Sequence, residues 1–199
     1  MLLKNFMVNQ KNNLKNIKQH FLHLAFEQAK KNLGKTKNNP SVGCVLVKNN
    51  TIISSACTSK DGRPHAEFNA LKSYKNFKDS VLYVTLEPCS HFGKTPPCTD
   101  LIIKKGIKKI YYAFKDVDIR TANKLKKTLK KKDINIKKII PKKYRFFYQS
   151  YFNLHKKNIP FVDAKIAVSK DFYTISRKKK WKSRVGAAKI VLTQAKSYH

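Results

Sequence analysis

Two stretches of the chain carry residue types that bind a metal and move protons. They are Pro64-His65-Ala66-Glu67 and, further on, Glu87-Pro88-Cys89 followed by Cys98. Imidazole and thiolate are favoured zinc ligands. His65, Cys89 and Cys98 would hold one zinc ion per chain and leave the fourth tetrahedral position to water. On such an ion the pKa of water falls from about 15.7 toward about 7. A carboxylate beside the ion, and not bound to it, can then shuttle protons. Glu67 is the candidate for that catalytic role. At the start of a helix His65 and Glu67 are close enough to share a pocket, yet they project at different angles.

Each half of this pattern is weak alone, since His-x-Glu and Pro-Cys pairs are common. Their order, with each half at the start of a helix that follows a strand, is far more specific. It matches the H-x-E…P-C-x-x-C signature of zinc nucleobase deaminases, except that eight residues separate the cysteines here. Cys44 lies in a strand-like apolar run and reads as core, and nothing marks Cys57 as a ligand. His20, His23, His155 and His199 stand alone and read as structural or surface residues.

The elements that must position these residues follow from periodicity. Residues 1–17 are polar and aperiodic and read as a flexible N-terminal arm. Phe21, Leu22, Leu24, Ala25 and Ala29 have helical spacing, which predicts a helix over about 18–32 with Gly34 as its stop. Residues 42–47 and 51–56 read as strands joined by a tight Asn49-Asn50 turn into an antiparallel hairpin. Helices are expected over 65–76, 98–105 and about 120–132, and strands over 81–86, 109–114 and 134–140. Strands separated by helices imply parallel pairing with helices on both faces. The expected fold is therefore a three-layer α/β/α sandwich with a mixed five-stranded sheet, covering residues 18–141. Residues 142–158 read as an aromatic, basic helical connector. A strand over 161–168 and a helix over about 184–196 would follow, so that 142–199 form a connector and tail.

The chain has 199 residues and a formal net charge of +33. Such a charge is compatible with nucleic-acid binding. The lysines are spread along the chain, however, and lack interleaved aromatic motifs, so a lysine-rich solvated surface explains them more simply. No apolar run reaches the 18–20 or so residues of a membrane span. The first twenty residues lack the apolar stretch of a signal peptide, and four cysteines without one suit a reducing, cytoplasmic setting.

The segment LYVTLEPCSHFGKTPPCTD, together with Asn39-Pro40-Ser41-Val42-Gly43-Cys44 and Gly62-Arg63-Pro64-His65-Ala66-Glu67, resembles the deaminase domain of the bifunctional riboflavin biosynthesis deaminase/reductase family. The likeness covers about residues 20–140. The Cys-x8-Cys loop separates that family from cytidine and tRNA deaminases. The resemblance implies a cytidine-deaminase-like fold. It also implies hydrolytic deamination of a small phosphoribosylaminopyrimidine, with Asn39, His91 and Lys94 contacting substrate. Homo-oligomers are common in the family.

There are departures. Thr58 stands where the family usually has a histidine, and residues 116–123 lack the family's proline and glycines. Asn153, Pro160, Lys165, Ala167, Ser169 and Asp171 resemble only the opening of the family's reductase domain, with Phe172 replacing a glycine. None of the six glycines forms a phosphate-binding loop, so NADPH is not expected to bind. The tail then reads as a truncated reductase domain, a remnant or a docking segment for a separate reductase. Two alternatives stand beside this reading: a base deaminase acting on tRNA or other nucleic acid, and a non-catalytic metal-binding remnant.

Overall fold

The computed structural model describes residues 2–72, 77–118, 129, 132–159 and 161, with side chains from residue 12 onward. Helix α1 spans Leu2–Lys30, strands β1 Gly43–Lys48 and β2 Thr51–Cys57, helix α2 Ala66–Leu71 and strand β3 Val81–Leu86. Helix α3 spans Cys98–Lys104, strands β4 Lys109–Phe114 and β5 Asn135–Lys138, and a last helix, α4, Gln149–Lys157.

The five strands form one sheet in the order β2-β1-β3-β4-β5. Strand β1 runs antiparallel to both of its neighbours, whereas β3, β4 and β5 are parallel. The mixed five-stranded sheet expected from the sequence is thus present. Asn49 and Asn50 take φ values of 49° and 58°. Two positive φ values in a two-residue loop make the turn whose twist suits a hairpin, and asparagine tolerates them.

Five residues of β1 and five of β3 are buried, as strands covered on both faces must be. Helix α1 covers one face with Phe21, Leu22, Ala25, Phe26 and Ala29, each at most 6% exposed. The approach is close: a Cβ on Gly43 would lie 1.8 Å from the carbonyl oxygen of Ala25. One residue on, and therefore on the opposite face, Cys44 is buried within the field of the Glu67 carboxylate. That face carries α2 and α3 and hence the chemistry.

Two domain boundaries differ from the sequence reading. Residues 2–17 are not an arm but the first turns of α1. Residues 12–16 are exposed and have no apolar stripe to announce a helix, but they also contain no Gly or Pro to stop one. The first compact unit ends at Tyr148, not at Pro141. Tyr144 stacks on Phe26 with ring centroids 4.1 Å apart, and the buried Tyr148 hydroxyl donates to the Ser41 carbonyl at 3.0 Å. Residues 142–148, assigned to a connector, therefore belong to the first unit, with Tyr144 and Tyr148 buried in it. The second unit begins at Gln149 and contains α4, where Gln149 donates to Asn153 and Tyr151 packs on His155. Most of the basic helix expected near 120–132 lies outside the described residues, as do all but the first residue of the strand expected over 161–168 and the whole helix near 184–196.

Candidate metal centre and active site

Helix α2 begins immediately after His65, whose extended backbone (φ −67°, ψ 160°) makes it the capping residue. The loop leading to it is held from several sides. The Asn69 amide, one turn into α2, donates to the Cys57 carbonyl at 3.0 Å and to Ser59 Oγ at 2.9 Å. The Asn32 amide donates to the Thr58 carbonyl at 2.8 Å. Gly62, with φ +88°, sits against Asn39, whose amide donates to its carbonyl at 3.0 Å. A side chain at position 62 would be strained in that conformation and would strike Asn39.

On the other side, β3 delivers Glu87 and Cys89. The Glu87 amide donates to the Phe114 carbonyl at 2.8 Å, and the Asp116 amide donates to Glu87 Oε2 at 3.1 Å. Glu87 thereby ties the ends of the parallel strands β3 and β4 together, where sites in such sheets form. Cys98 is the first residue of α3, and its amide donates to Cys89 Sγ at 3.2 Å.

These elements bring the three sequence-predicted ligands together. His65 Nδ1 lies 3.6 Å from Cys89 Sγ and 3.4 Å from Cys98 Sγ, and all three atoms lie within 4.8 Å of one another. A tetrahedral zinc with bonds of about 2.0–2.3 Å places such donors roughly 3.5 Å apart. The donor set and its spacing therefore fit zinc. Glu67 is 3% exposed, stands beside the cluster and is not one of its ligating atoms. The Ser90 hydroxyl, next to Cys89, is buried without a protein partner.

The electrostatics reflect crowding. Burial pushes the Glu67 carboxyl up to about 7, the Cys89 charge adds to this and His65 opposes it. Cys89 is held down to about 4, chiefly by hydrogen bonding from the Cys98 side chain, then by His65 and the Cys98 amide. Cys98 is pushed upward by Cys89 and by burial. His65 is raised mainly by its contact with Cys89.

The expected substrate residues are more dispersed. Asn39 supports the loop before His65. His91 is half-buried two residues beyond Cys89, and Lys94 is exposed in the same loop. Thr58, which replaces the family's histidine, is 2% exposed, and its hydroxyl accepts from the Val42 amide at 3.0 Å. It clamps the start of β1. A recess of about 340 Å³ is lined by Pro64, His65, Phe68, Pro97, Cys98 and Leu101, among others. None of Glu67, Asn39, His91 and Lys94 lines it, so it lies on another side of the ligands.

Two contributors escaped sequence reasoning. Asn69 holds the loop before His65, and its position four residues after His65 was the available signal. Arg63 reaches across to the other loop, where Nη1 donates to Thr95 Oγ1 at 2.5 Å.

Residues 15–114 match the family "Cytidine and deoxycytidylate deaminase zinc-binding region". The chain is 36% identical over 172 residues to riboflavin biosynthesis protein RibD of Aquifex aeolicus, covering 84% of this chain and 48% of that protein. It thus spans about half the length of that relative. It is 39% identical over 127 residues to the diaminohydroxyphosphoribosylamino-pyrimidine deaminase of Buchnera aphidicola subsp. Schizaphis graminum, covering 63% of this chain and 86% of that protein. The solved deaminase/reductase of Thermotoga maritima superposes with a TM-score of 0.73 at 35% identity, over 79% of this chain and 46% of that one. With the His65–Cys89–Cys98 cluster and the five-stranded mixed sheet, these matches show that the chain belongs to the cytidine and deoxycytidylate deaminase family, among its riboflavin-pathway homologues.

Proposed function

We propose that the protein is a zinc-dependent hydrolytic deaminase of riboflavin biosynthesis. Its substrate is 2,5-diamino-6-(5-phosphoribosylamino)pyrimidin-4(3H)-one, and its products are 5-amino-6-(5-phosphoribosylamino)uracil and ammonia. The observation that carries the reading is a buried Glu67 beside three clustered ligand atoms, on a chain whose cysteines enclose the eight-residue loop. Relatives named for the deaminase alone support it. The Buchnera protein above is one. A second, from Buchnera aphidicola subsp. Acyrthosiphon pisum, is 36% identical and is covered over 97% of its length.

His65, Cys89 and Cys98 hold the zinc, which when bound supplies Lewis acidity and an acidified water. Glu67 takes a proton from the attacking water, passes it to the ring nitrogen and delivers the second proton to the departing amine. Its burial suits this, because desolvation raises the proton affinity of a carboxyl. Asn39 meets polar edges of the pyrimidine, His91 assists there, and Lys94 pairs with the ribose phosphate.

No reductase reaction and no NADPH are assigned to the chain. A homo-oligomer, a cytoplasmic location and a separate reductase as partner complete the reading. Among the described residues, no helix is long and apolar enough to cross a membrane.

The test is metal analysis and ammonia release on one preparation. One zinc per chain, with ammonia formed from the diaminopyrimidine phosphate, supports the proposal. Ammonia from tRNA alone would instead favour the nucleic-acid reading that the +33 charge suggests. Stoichiometric zinc without turnover would mark a binding remnant.

A further inference from the structure

We propose that Arg63 is a specificity residue for the phosphate end of the substrate, closing the 91–95 loop around that group. The inference rests on the deaminase reading and adds a residue to Asn39, His91 and Lys94.

Arg63 belongs to the loop before α2, yet its guanidinium lies against the loop after β3. Nη1 donates to Thr95 Oγ1 at 2.5 Å. Nη2 lies 3.4 Å from the point where a Cβ on Gly93 would stand, and that same point is 3.7 Å from His91 Nε2. Gly93 and Thr95 flank Lys94 in the chain, so the guanidinium touches the loop on both sides of the lysine. Among the described residues no ion pair involves Arg63; those at Glu27 and Asp61 are made with His23, Lys30 and Lys37. A guanidinium has five donors in a fixed fork. Thr95 takes one of them, and the fork suits the several oxygens of a phosphate monoester better than a single ammonium does. Arg63 thus supplies a second cation against the loop that carries Lys94.

The experiment compares zinc-loaded wild type with Arg63→Met, Arg63→Lys and Thr95→Val. Each is assayed on the diaminopyrimidine substrate and on the same compound without its 5′-phosphate. Binding of ribose 5-phosphate is followed in parallel by calorimetry. Arg63→Met should raise KM for the phosphorylated substrate about ten- to a hundred-fold, as expected for a lost charged hydrogen bond. It should leave kcat, and KM for the dephosphorylated compound, nearly unchanged. Arg63→Lys should recover part of the loss, and Thr95→Val should keep the phosphate preference.

An equal rise in KM for both compounds, or none for either, overturns the proposal and leaves Arg63 as a loop latch. So does ribose 5-phosphate binding that is absent, or equal in wild type and Arg63→Met. If wild type deaminates neither pyrimidine while Arg63→Met still loses ribose 5-phosphate affinity, the deaminase reading fails and the Arg63 phosphate site stands.

Discussion

Two buried polar clusters lie in this small domain, and they are satisfied in opposite ways. In the first, Gly43, Thr85, Tyr148 and Ser41 form a closed relay. The Gly43 amide donates to Thr85 Oγ1 at 3.0 Å, Thr85 and Tyr148 hydroxyls meet at 2.6 Å, and Tyr148 donates to the Ser41 carbonyl at 3.0 Å. Each proton has one taker. In the second, His65, Glu67, Cys89 and Cys98 shift one another's protonation, and the neighbouring Ser90 hydroxyl has no protein partner. A relay that closes on itself holds architecture. A cluster that the protein alone cannot satisfy is built for something that arrives from outside.

Substitutions can break this contrast in order of expected effect. Cys98→Ala should remove the metal and all measurable turnover, because a three-ligand site cannot spare one thiolate. Elemental analysis and the ammonia assay read both. Zinc retained at one per chain would show that the ligand set is wrong. Glu67→Gln should keep the zinc and lower kcat by about a hundred- to ten-thousand-fold, the usual worth of a proton-transferring group. If kcat is unaltered, the proton route does not pass through Glu67.

Tyr148→Phe should do the reverse. It leaves the Ser41 carbonyl and the Thr85 hydroxyl short of a buried partner, at a cost of about 1–3 kcal/mol in urea unfolding. Zinc content and turnover per folded molecule should hold. A loss of zinc in this variant would mean that the two clusters are not separable.

The smallest effect belongs to a half-exposed cluster on α1. Glu27 accepts from Lys30 and from Tyr144, each at 2.7 Å, and these bonds hold its carboxyl down to about 2 from an ordinary 4.5. A carboxyl depressed in the folded state stabilises the protein fully above about 4.5, and that contribution fades as pH falls toward 2. Glu27→Gln should flatten this part of the stability-against-pH curve, followed by urea midpoints. An unchanged slope would show that the cluster is not linked to folding.

The cluster of His65, Cys89 and Cys98 beside Glu67 was legible because metal-binding chemistry constrains residue type and local spacing at once. The strands were legible as well: β3 and β4 occupy the residues expected from their apolar runs. The start of α1 was not: residues 12–16 are exposed and carry no apolar stripe that would announce a helix. Residues 142–148 were misassigned for a related reason. Their aromatic residues read as a connector until Phe26 and Ser41, more than a hundred positions earlier, became their partners. Thr58 seemed a gap in the site, and only its hydrogen bond to Val42 showed it as a clamp.

By itself, then, the sequence determined the donor set, the carboxylate beside it and the order of helices and strands. These depend on side-chain chemistry and on periods of two and 3.6 residues, which are local properties. The tertiary structure alone decided which polar groups meet across the fold: that Tyr148 completes the relay under β1, and that Arg63 reaches the loop after Cys89. Such contacts join residues tens of positions apart, and no local pattern encodes a partner that only chain reversal brings near.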